Sequence, residues 1–299
     1  MIGERDADFY REHGYLVVED VFTADEVASM RAALAELVSA AAGVTGHDKI
    51  YDLEPSHTPE LPRVRRIKNP VAAHPIFSEM VRRPALISVL SKLVAPSLRL
   101  HGDKINIKAA QYGSPVEWHQ DWAFYPHTND DVLAVGVLLE DATPENGPLM
   151  VIPGSHKGPT WSHHVDGRFA GAMDPTACDV DFDSAVALLG KAGGCTFHHV
   201  RAIHGSAQNT SGKDRPLLLY QIAAADAWDI RGIPADWGEH NSRLIAGEPT
   251  LEARVVSAPI RLPYPPPLKD GSIYENQSVV KNRFFDFDPK TAVGSDAAE

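Results

Sequence analysis

From Leu98 onward the chain is dominated by short strand-like runs separated by turn-rich segments, and this pattern constrains the fold more than any other feature. Leu98 to Ile107 alternates in strand fashion, an apolar run lies inside Pro115 to Lys157, and Gly194–Val200 and Pro216–Ala223 are strand-like around the turn Gln208–Gly212. Helical signals come earlier. Asp6 to Glu12 reads as a short helix stopped by Gly14, with a strand over Tyr15–Val21. Thr23 with Glu26 makes a capping box before an apolar pattern of helical period, and a further helix is expected around Pro75 to Leu93. Helices first and short hairpin-linked strands afterwards predict a mainly β fold with α decoration, in which the N-terminal helices pack on the sheet. A double-stranded β-helix, the cupin-like jelly roll, fits that order. Residues 1–290 are expected to form one domain and residues 291–299 a disordered tail, while prolines 263, 265, 266 and 267 predict an extended segment lying across the domain.

Acidic residues outnumber basic ones 40 to 28 and no Lys/Arg block occurs, which argues against nucleic acid and against a polybasic membrane patch. No apolar run approaches the roughly 18 residues of a membrane span, so the cytoplasm is the expected compartment. Cys178 and Cys195 are too few for a disulfide framework and lack metal or redox spacing. A basic cluster at Arg63, Arg65, Arg66 and Lys68 reads as a solvated face, as a receiver of a substrate carboxylate or phosphate, or as a partner for the protein's own acidic groups.

Three His-x-Asp pairs occur, at His101/Asp103, His119/Asp121 and His164/Asp166, so the spacing alone does not choose among them. In a strand, residues i and i+2 share a face and can close on one ion if a third ligand comes from a neighbouring strand. The middle pair has the bulky surround of Trp118, Trp122, Phe124 and Tyr125. His204 is the candidate third ligand. His204 and Arg215 lie symmetrically about Asn209–Thr210, so an antiparallel hairpin there would set a metal ligand opposite a guanidinium able to hold a carboxylate, with Ser206 on the face of His204. Two His and one carboxylate leave positions open, as in non-haem Fe(II) oxygenases, whereas a structural zinc is more often closed by four ligands. His198 and His199 read as packed or hydrogen-bonded strand residues.

At these residues the chain resembles the phytanoyl-CoA dioxygenase family of Fe(II)- and 2-oxoglutarate-dependent oxygenases. WHQD at Trp118–Asp121, NGPLMVIPGSHK at Asn146–Lys157 and HGSAQNTSGKDR at His204–Arg215 are similar to three of its signatures, in family order. The resemblance implies iron held by His119, Asp121 and His204, with 2-oxoglutarate and O2 as cosubstrates. It further implies that Arg215, helped by Ser206, pairs with the distal carboxylate of 2-oxoglutarate, and that Asn106 and Lys108 face the cosubstrate. The retained carboxylate at Asp121 argues against a halogenase. Val116 departs from the aromatic residue of the family's ectoine-hydroxylating members, which weakens transfer of their substrate. The implied reaction is hydroxylation of an unactivated C–H bond in a small-molecule, anionic or neutral, organic substrate, with release of succinate and CO2. Gln111, Trp122, Phe124, Tyr125 and Trp161 are candidate pocket lining, and Arg66 a candidate substrate contact. Two other readings stand beside this one: a cupin-like isomerase or lyase without 2-oxoglutarate, and a catalytically silent jelly-roll binding protein.

Overall fold

A computed structural model describes residues 2–110, 113–233, 236–267 and 271–286. The helix α1 (Glu4–His13) ends at Gly14, which takes the left-handed conformation at φ 77° and donates its amide to Tyr10 O at 2.7 Å. The strand β1 (Tyr15–Val18) follows, and then α2 (Ala24–Ala40). Its capping box is formed as the sequence predicts: Thr23 Oγ1 accepts from the Glu26 amide at 3.3 Å, and the Thr23 amide donates to Glu26 Oε2 at 2.9 Å. A hairpin of β2 (Tyr51–Leu53) and β3 (Val64–Lys68) precedes three short helices, α3 (Pro70–Ala73), α4 (Pro75–Met80) and α5 (Pro84–Leu93). The single helix expected at Pro75–Leu93 is therefore two, because Pro84 has no amide to carry the ladder through and is accepted instead at the start of α5.

Beyond this point the regular elements are mainly strands: β4 (Leu98–Lys108), β5 (Val116–His119), β6 (Val132–Leu138) and β7 (Met150–Val151). After them come β8 (His164–Val165), β9 (Arg168–Phe169), β10 (Val186–Ala187), β11 (Cys195–His199), β12 (His204–Ser206) and β13 (Arg215–Ala224). The helix α6 (Trp237–Ser242), strand β14 (Leu244–Ala246) and helix α7 (Ile273–Asn276) complete the set. A major antiparallel sheet runs β1-β11-β6-β13-β4-β3-β2, with β14 on β4, and a minor sheet runs β10-β7-β12-β5. This is the jelly-roll arrangement.

The two faces of the major sheet differ in chemistry. Ile105, Ile107, Val135, Val137, Phe197, Leu218 and Tyr220 point outward and bury against Met30, Phe77, Met80, Leu86 and Leu90 of the N-terminal helices. The alternate residues, among them Lys104, Asn106, His198, Arg215 and Gln221, face the minor sheet across a cavity. The parity of β4 changes once: Gln221 pairs with Gly102 but Ile222 pairs with Leu100, so His101 is an inserted residue and the strand bulges there. Without that bulge, Leu98 and Leu100 could not share the outer face with Ile105 and Ile107.

The hairpin expected about Asn209–Thr210 does not form. His204 belongs to β12, which pairs with β5 and β7, whereas Arg215 opens β13, which pairs with β4 and β6. The turn carries the chain from one sheet to the other. Three of the four residues of the basic cluster are neutralised internally: Arg66 and Lys68 both pair with buried Asp52, which lies on β2 directly opposite Arg66, and Arg65 pairs with Glu54 and Glu275. The proline-rich tail segment lies across the domain as expected, with Pro259 O accepting from Trp122 Nε1 and Pro265 O accepting from the Phe169 amide. No helix among the described residues is long and apolar enough to cross a membrane.

Gly14 gives a test of this packing. A Cβ there would stand 2.4 Å from His156 Nδ1 while the residue keeps a positive φ. Gly14→Ala is expected to cost roughly 2–4 kcal/mol, from left-handed strain plus overpacking. Thermal unfolding checks it, and an unchanged Tm would refute the assigned contact.

Candidate metal centre

His119 and His204 meet because β5 and β12 pair antiparallel with these two residues in register, which brings their ring centroids to 4.1 Å. Each ring is oriented by its own backbone: His119 Nδ1 donates to Glu117 O at 2.9 Å, and His204 Nδ1 donates to Ala202 O at 2.9 Å. Both therefore present Nε2 as a lone-pair donor. Asp121 does not join them through strand alternation. The strand β5 ends at His119, and a 3₁₀ turn over Asp121–Ala123, anchored by the Trp122 amide on Val200 O at 2.8 Å, swings the carboxylate back. Asp121 Oδ1 then lies 4.0 Å from each Nε2. All three residues are buried, and their ligand atoms lie within 4.8 Å of one another.

Electrostatics sets these groups in a metal-ready charge state. Burial pushes the His119 imidazole down to about 4 and the His204 imidazole well below its ordinary value. Burial alone would raise the Asp121 carboxyl, but the neighbouring imidazoles of His198 and His204 and the Lys104 ammonium outweigh it and hold the carboxyl well below its usual range. At neutral pH the cluster is two neutral imidazoles and one carboxylate. That donor set, with no fourth protein ligand in the cluster among the described residues, fits Fe(II) with coordination positions left for small molecules.

The cavity that these residues open onto measures about 60 Å³ and has a cation at each end. At one end stands Arg215, buried, its Nε donating to Asn146 O at 3.4 Å and its Nη2 to Gly147 O. Burial lowers it to about 10, so it stays charged at neutral pH. Ser206 faces the same space. Lys108 also lines it, but its ammonium donates to the carbonyls of Ser206 and Ala207, which ties the end of β12 to β4. Asn106, one pleat along, has a buried Oδ1 without a protein partner. Lys104 stands at the other end, four residues from Lys108 and hence roughly 13 Å along the strand. Burial lowers its ammonium below the usual range, with Asp121 opposing the shift in part, and it makes no hydrogen bond or close ion pair among the described residues.

Several candidate contacts lie elsewhere. Trp122 is wholly buried in an apolar cluster with Tyr125, Val132 and Val200 and donates its indole N–H away from the cavity. Arg66 is committed to Asp52. Phe124 packs edge-on against the His119 ring at 5.8 Å and against Phe169, bordering the ligand without lining the cavity. Tyr125 stands behind Asp121, and its hydroxyl accepts from Gln221 Nε2 at 2.9 Å. Trp161 donates its amide to Gln120 Oε1 and packs with the Trp118 cluster, and Gln111 lies outside the described residues. Of the other His-x-Asp pairs, His101 and Asp103 diverge, since Asp103 Oδ1 accepts the Val71 amide, and Asp166 is an exposed partner of Lys281. His198 lies 3.7 Å from Asp121 Oδ2, beyond hydrogen-bond length, while His199 packs on His156 away from the metal cluster. Sequence reasoning missed Lys104, although it shares the strand face of Asn106 and Lys108. It also missed Tyr274, which α7 brings to the cavity from far along the chain.

A jelly roll carrying two His and one carboxylate beside a buried guanidinium defines a class, that of the non-haem iron oxygenases. Residues 10–217 match the family model described as phytanoyl-CoA dioxygenase, and the chain belongs to that family of iron- and 2-oxoglutarate-dependent dioxygenases. It is 35% identical over 280 residues, covering 92% of this chain and 97% of the relative, to a protein of Stutzerimonas stutzeri named probable alpha-ketoglutarate-dependent hypophosphite dioxygenase. An L-proline trans-4-hydroxylase of Streptomyces griseoviridis is 34% identical over 164 residues, 48% of this chain and 61% of its own length. The crystal structure of EctD from S. alaskensis with bound Fe superposes with a TM-score of 0.64 at 26% identity, covering 87% of this chain and 88% of that one. The form of EctD with 2-oxoglutarate and 5-hydroxyectoine gives the same values. Family membership displaces the isomerase, lyase and silent-module readings.

Proposed function

We propose that this enzyme hydroxylates a small anionic substrate, with iron on His119, Asp121 and His204, 2-oxoglutarate anchored at Arg215, and the substrate's charge held by Lys104. The uncommitted ammonium of Lys104, inside the small cavity and at the end opposite Arg215, carries this reading. Iron held by these three residues would supply the oxidising chemistry, in which O2 is divided between the substrate and the succinate formed, with CO2, from 2-oxoglutarate. The chain's own residues position the reactants. Arg215 and Ser206 receive the distal carboxylate of the cosubstrate, and Asn106 lines the same space, where its orphaned Oδ1 can accept from a bound donor but not from the carboxylate. Lys104 draws the substrate anion toward the metal, and Leu217, Leu219 and Val116 give apolar walls that keep the reacting bond away from bulk water.

The relative named for hypophosphite supports a small anion whose oxidised bond is P–H, and makes hypophosphite the first compound to test. A C–H bond of a small organic acid is the second reading, favoured by the L-proline trans-4-hydroxylase match. Succinate release in the presence of Fe(II), 2-oxoglutarate and each compound separates them. Stimulation by hypophosphite with phosphite formed supports the first, stimulation only by small carboxylates supports the second, and stimulation only by neutral or bulky compounds refutes the role of Lys104.

Arg215→Ala is expected to raise the KM for 2-oxoglutarate by ~10- to 150-fold, since a charge-assisted hydrogen bond contributes about 1.5–3 kcal/mol. Arg215→Lys should recover part of the loss. An unchanged KM in the alanine variant would move the anchor to another residue.

A further inference from the structure

A second cavity, of about 150 Å³, lies on the same inner face of the major sheet on the far side of the β4 bulge. Tyr125 is the partition: its hydroxyl bonds Gln221 of the metal cavity, while its ring lies 4.9 Å from His101, which lines the second one. Two obligate donors on this second cavity, Arg99 Nη2 and Trp228 Nε1, are buried without partners, and so is His240 Nε2, which donates in its Nε2–H tautomer; Arg99 and His240 are each only 6% exposed. Their positions are well held. Arg99 Nη1 donates to His240 O, and the rings of Trp228, His240 and Trp237 stack, with His240 at 5.2 Å from each indole. Buried donors without acceptors are costly and rare in folded proteins, so two of them beside an orphaned imidazole in one cavity call for an acceptor inside it.

Charge decides which kind. The cavity also holds His101, His127 and Asp229, whose ligand atoms lie within 4.8 Å of one another and could be taken for a cation site. Asp229 is already committed, however: Arg231 donates to it from Nε at 3.0 Å, from Nη2 at 2.6 Å and from its own amide at 2.9 Å. Arg243 lies at the rim, donating to His101 O at 3.2 Å and to Glu239 at 3.1 Å. Around the cavity three guanidiniums therefore face two carboxylates, and the unpaired groups are two obligate donors and an imidazole nitrogen able to donate. A divalent cation would meet a net positive field and a spent carboxylate.

We propose that this cavity is a binding site for a small tetrahedral oxyanion of the phosphate or sulfate class, held by Arg99, Trp228 and His240. Its volume has room for such an ion together with water. The site is separate from the metal cavity, one aromatic ring behind Asp121, and does not depend on the substrate assignment made above.

The test is calorimetric titration of the full-length protein, loaded with Fe(II) and 2-oxoglutarate under anaerobic conditions, with inorganic phosphate, sulfate and chloride at matched ionic strength. Phosphate or sulfate is expected to bind with a Kd of ~1 mM or tighter, and chloride far more weakly. Arg99→Met should weaken binding at least ~10-fold, as loss of a donor to a charged group does. Because that substitution also frees His240 O, Trp228→Phe serves as the second variant: it keeps an aromatic ring in the stack, removes the N–H with part of the indole, and should weaken binding by a similar factor. Lys104→Met should leave it intact. If neither oxyanion binds below about 10 mM, or if both site variants bind like the parent, the cavity holds only water and the proposal fails. Loss of binding in Lys104→Met alone would place the ion in the metal cavity and overturn it equally.

Discussion

Replacing Asp121 by alanine is expected to abolish 2-oxoglutarate turnover, by ~10³-fold or more if the lost ligand raises the barrier by about 4 kcal/mol. The carboxylate is the only negative group among the three ligands, and His119 and His204 each face it at 4.0 Å. Without it, two neutral imidazoles remain, with the Lys104 ammonium nearby, and a divalent cation loses the charge that offsets that repulsion. The fold should survive, because its main apolar core lies on the outer face of the major sheet, against α2, α4 and α5, away from the cavity. Stability is expected to fall by roughly 1–3 kcal/mol, as neighbours lose a buried partner. Circular dichroism reports the fold. The visible absorbance that develops when Fe(II) and 2-oxoglutarate are added together without oxygen reports the loaded site. Asp121→Asn, which preserves shape and removes charge, should lose the same signal. Normal succinate release in a folded Asp121→Ala protein would refute the ligand assignment.

The ligands were legible before the fold because their chemistry is concentrated in few residues. His119, Asp121 and His204 stood out through residue type, spacing and resemblance, and the structure brings them together. Their meeting follows the expected pairing of His119 with a ligand from a neighbouring strand, but not the expected hairpin or strand alternation. A turn signal such as Gln208–Gly212 marks where the chain reverses but not whether the flanking strands pair with each other, and here β12 and β13 pair with different sheets. Likewise, i,i+2 spacing in Trp118–Asp121 suggested one strand face, whereas the chain leaves the strand after His119. Local signals fared better. Gly14 and the Thr23/Glu26 box depend on neighbours within four residues, so sequence carries them whole.

What sequence did not carry is long-range pairing. The Arg63–Lys68 cluster looked available to a substrate because its neutralising partners, Asp52, Glu54 and Glu275, become visible only when β2 is laid beside β3 and α7 docks near them. The inserted residue at His101 has no signature of its own. It turns Arg99 and His101 to the same inner face as Lys104 and Asn106, and so creates two cavities along one strand. Lys104 is the instructive omission. Strand alternation places it beside Asn106 and Lys108, yet the resemblance that singled out those two gave no role to a lysine one pleat earlier.

Substitution of that lysine by methionine is expected to act chiefly on the substrate, by as large a factor as Arg215→Ala acts on the cosubstrate. Methionine preserves the apolar stem and its packing while deleting the ammonium, so the lost quantity is one charge-assisted contact, about 1.5–3 kcal/mol, or ~10- to 150-fold in the KM of an anionic substrate. The KM for 2-oxoglutarate should change little, because Arg215 holds that molecule at the other end of the cavity, four strand residues away by the β4–β13 register. Lys104→Arg restores the charge and should recover part of the substrate KM. Loss of positioning should also leave more 2-oxoglutarate consumed without product, measurable as succinate in excess of oxidised substrate. A merely structural lysine would instead lower kcat and raise both KM values together, with arginine no better than methionine. If the anion's KM is unmoved in Lys104→Met, the ammonium belongs to the internal field around Asp121, and the enzyme's substrate need carry no charge.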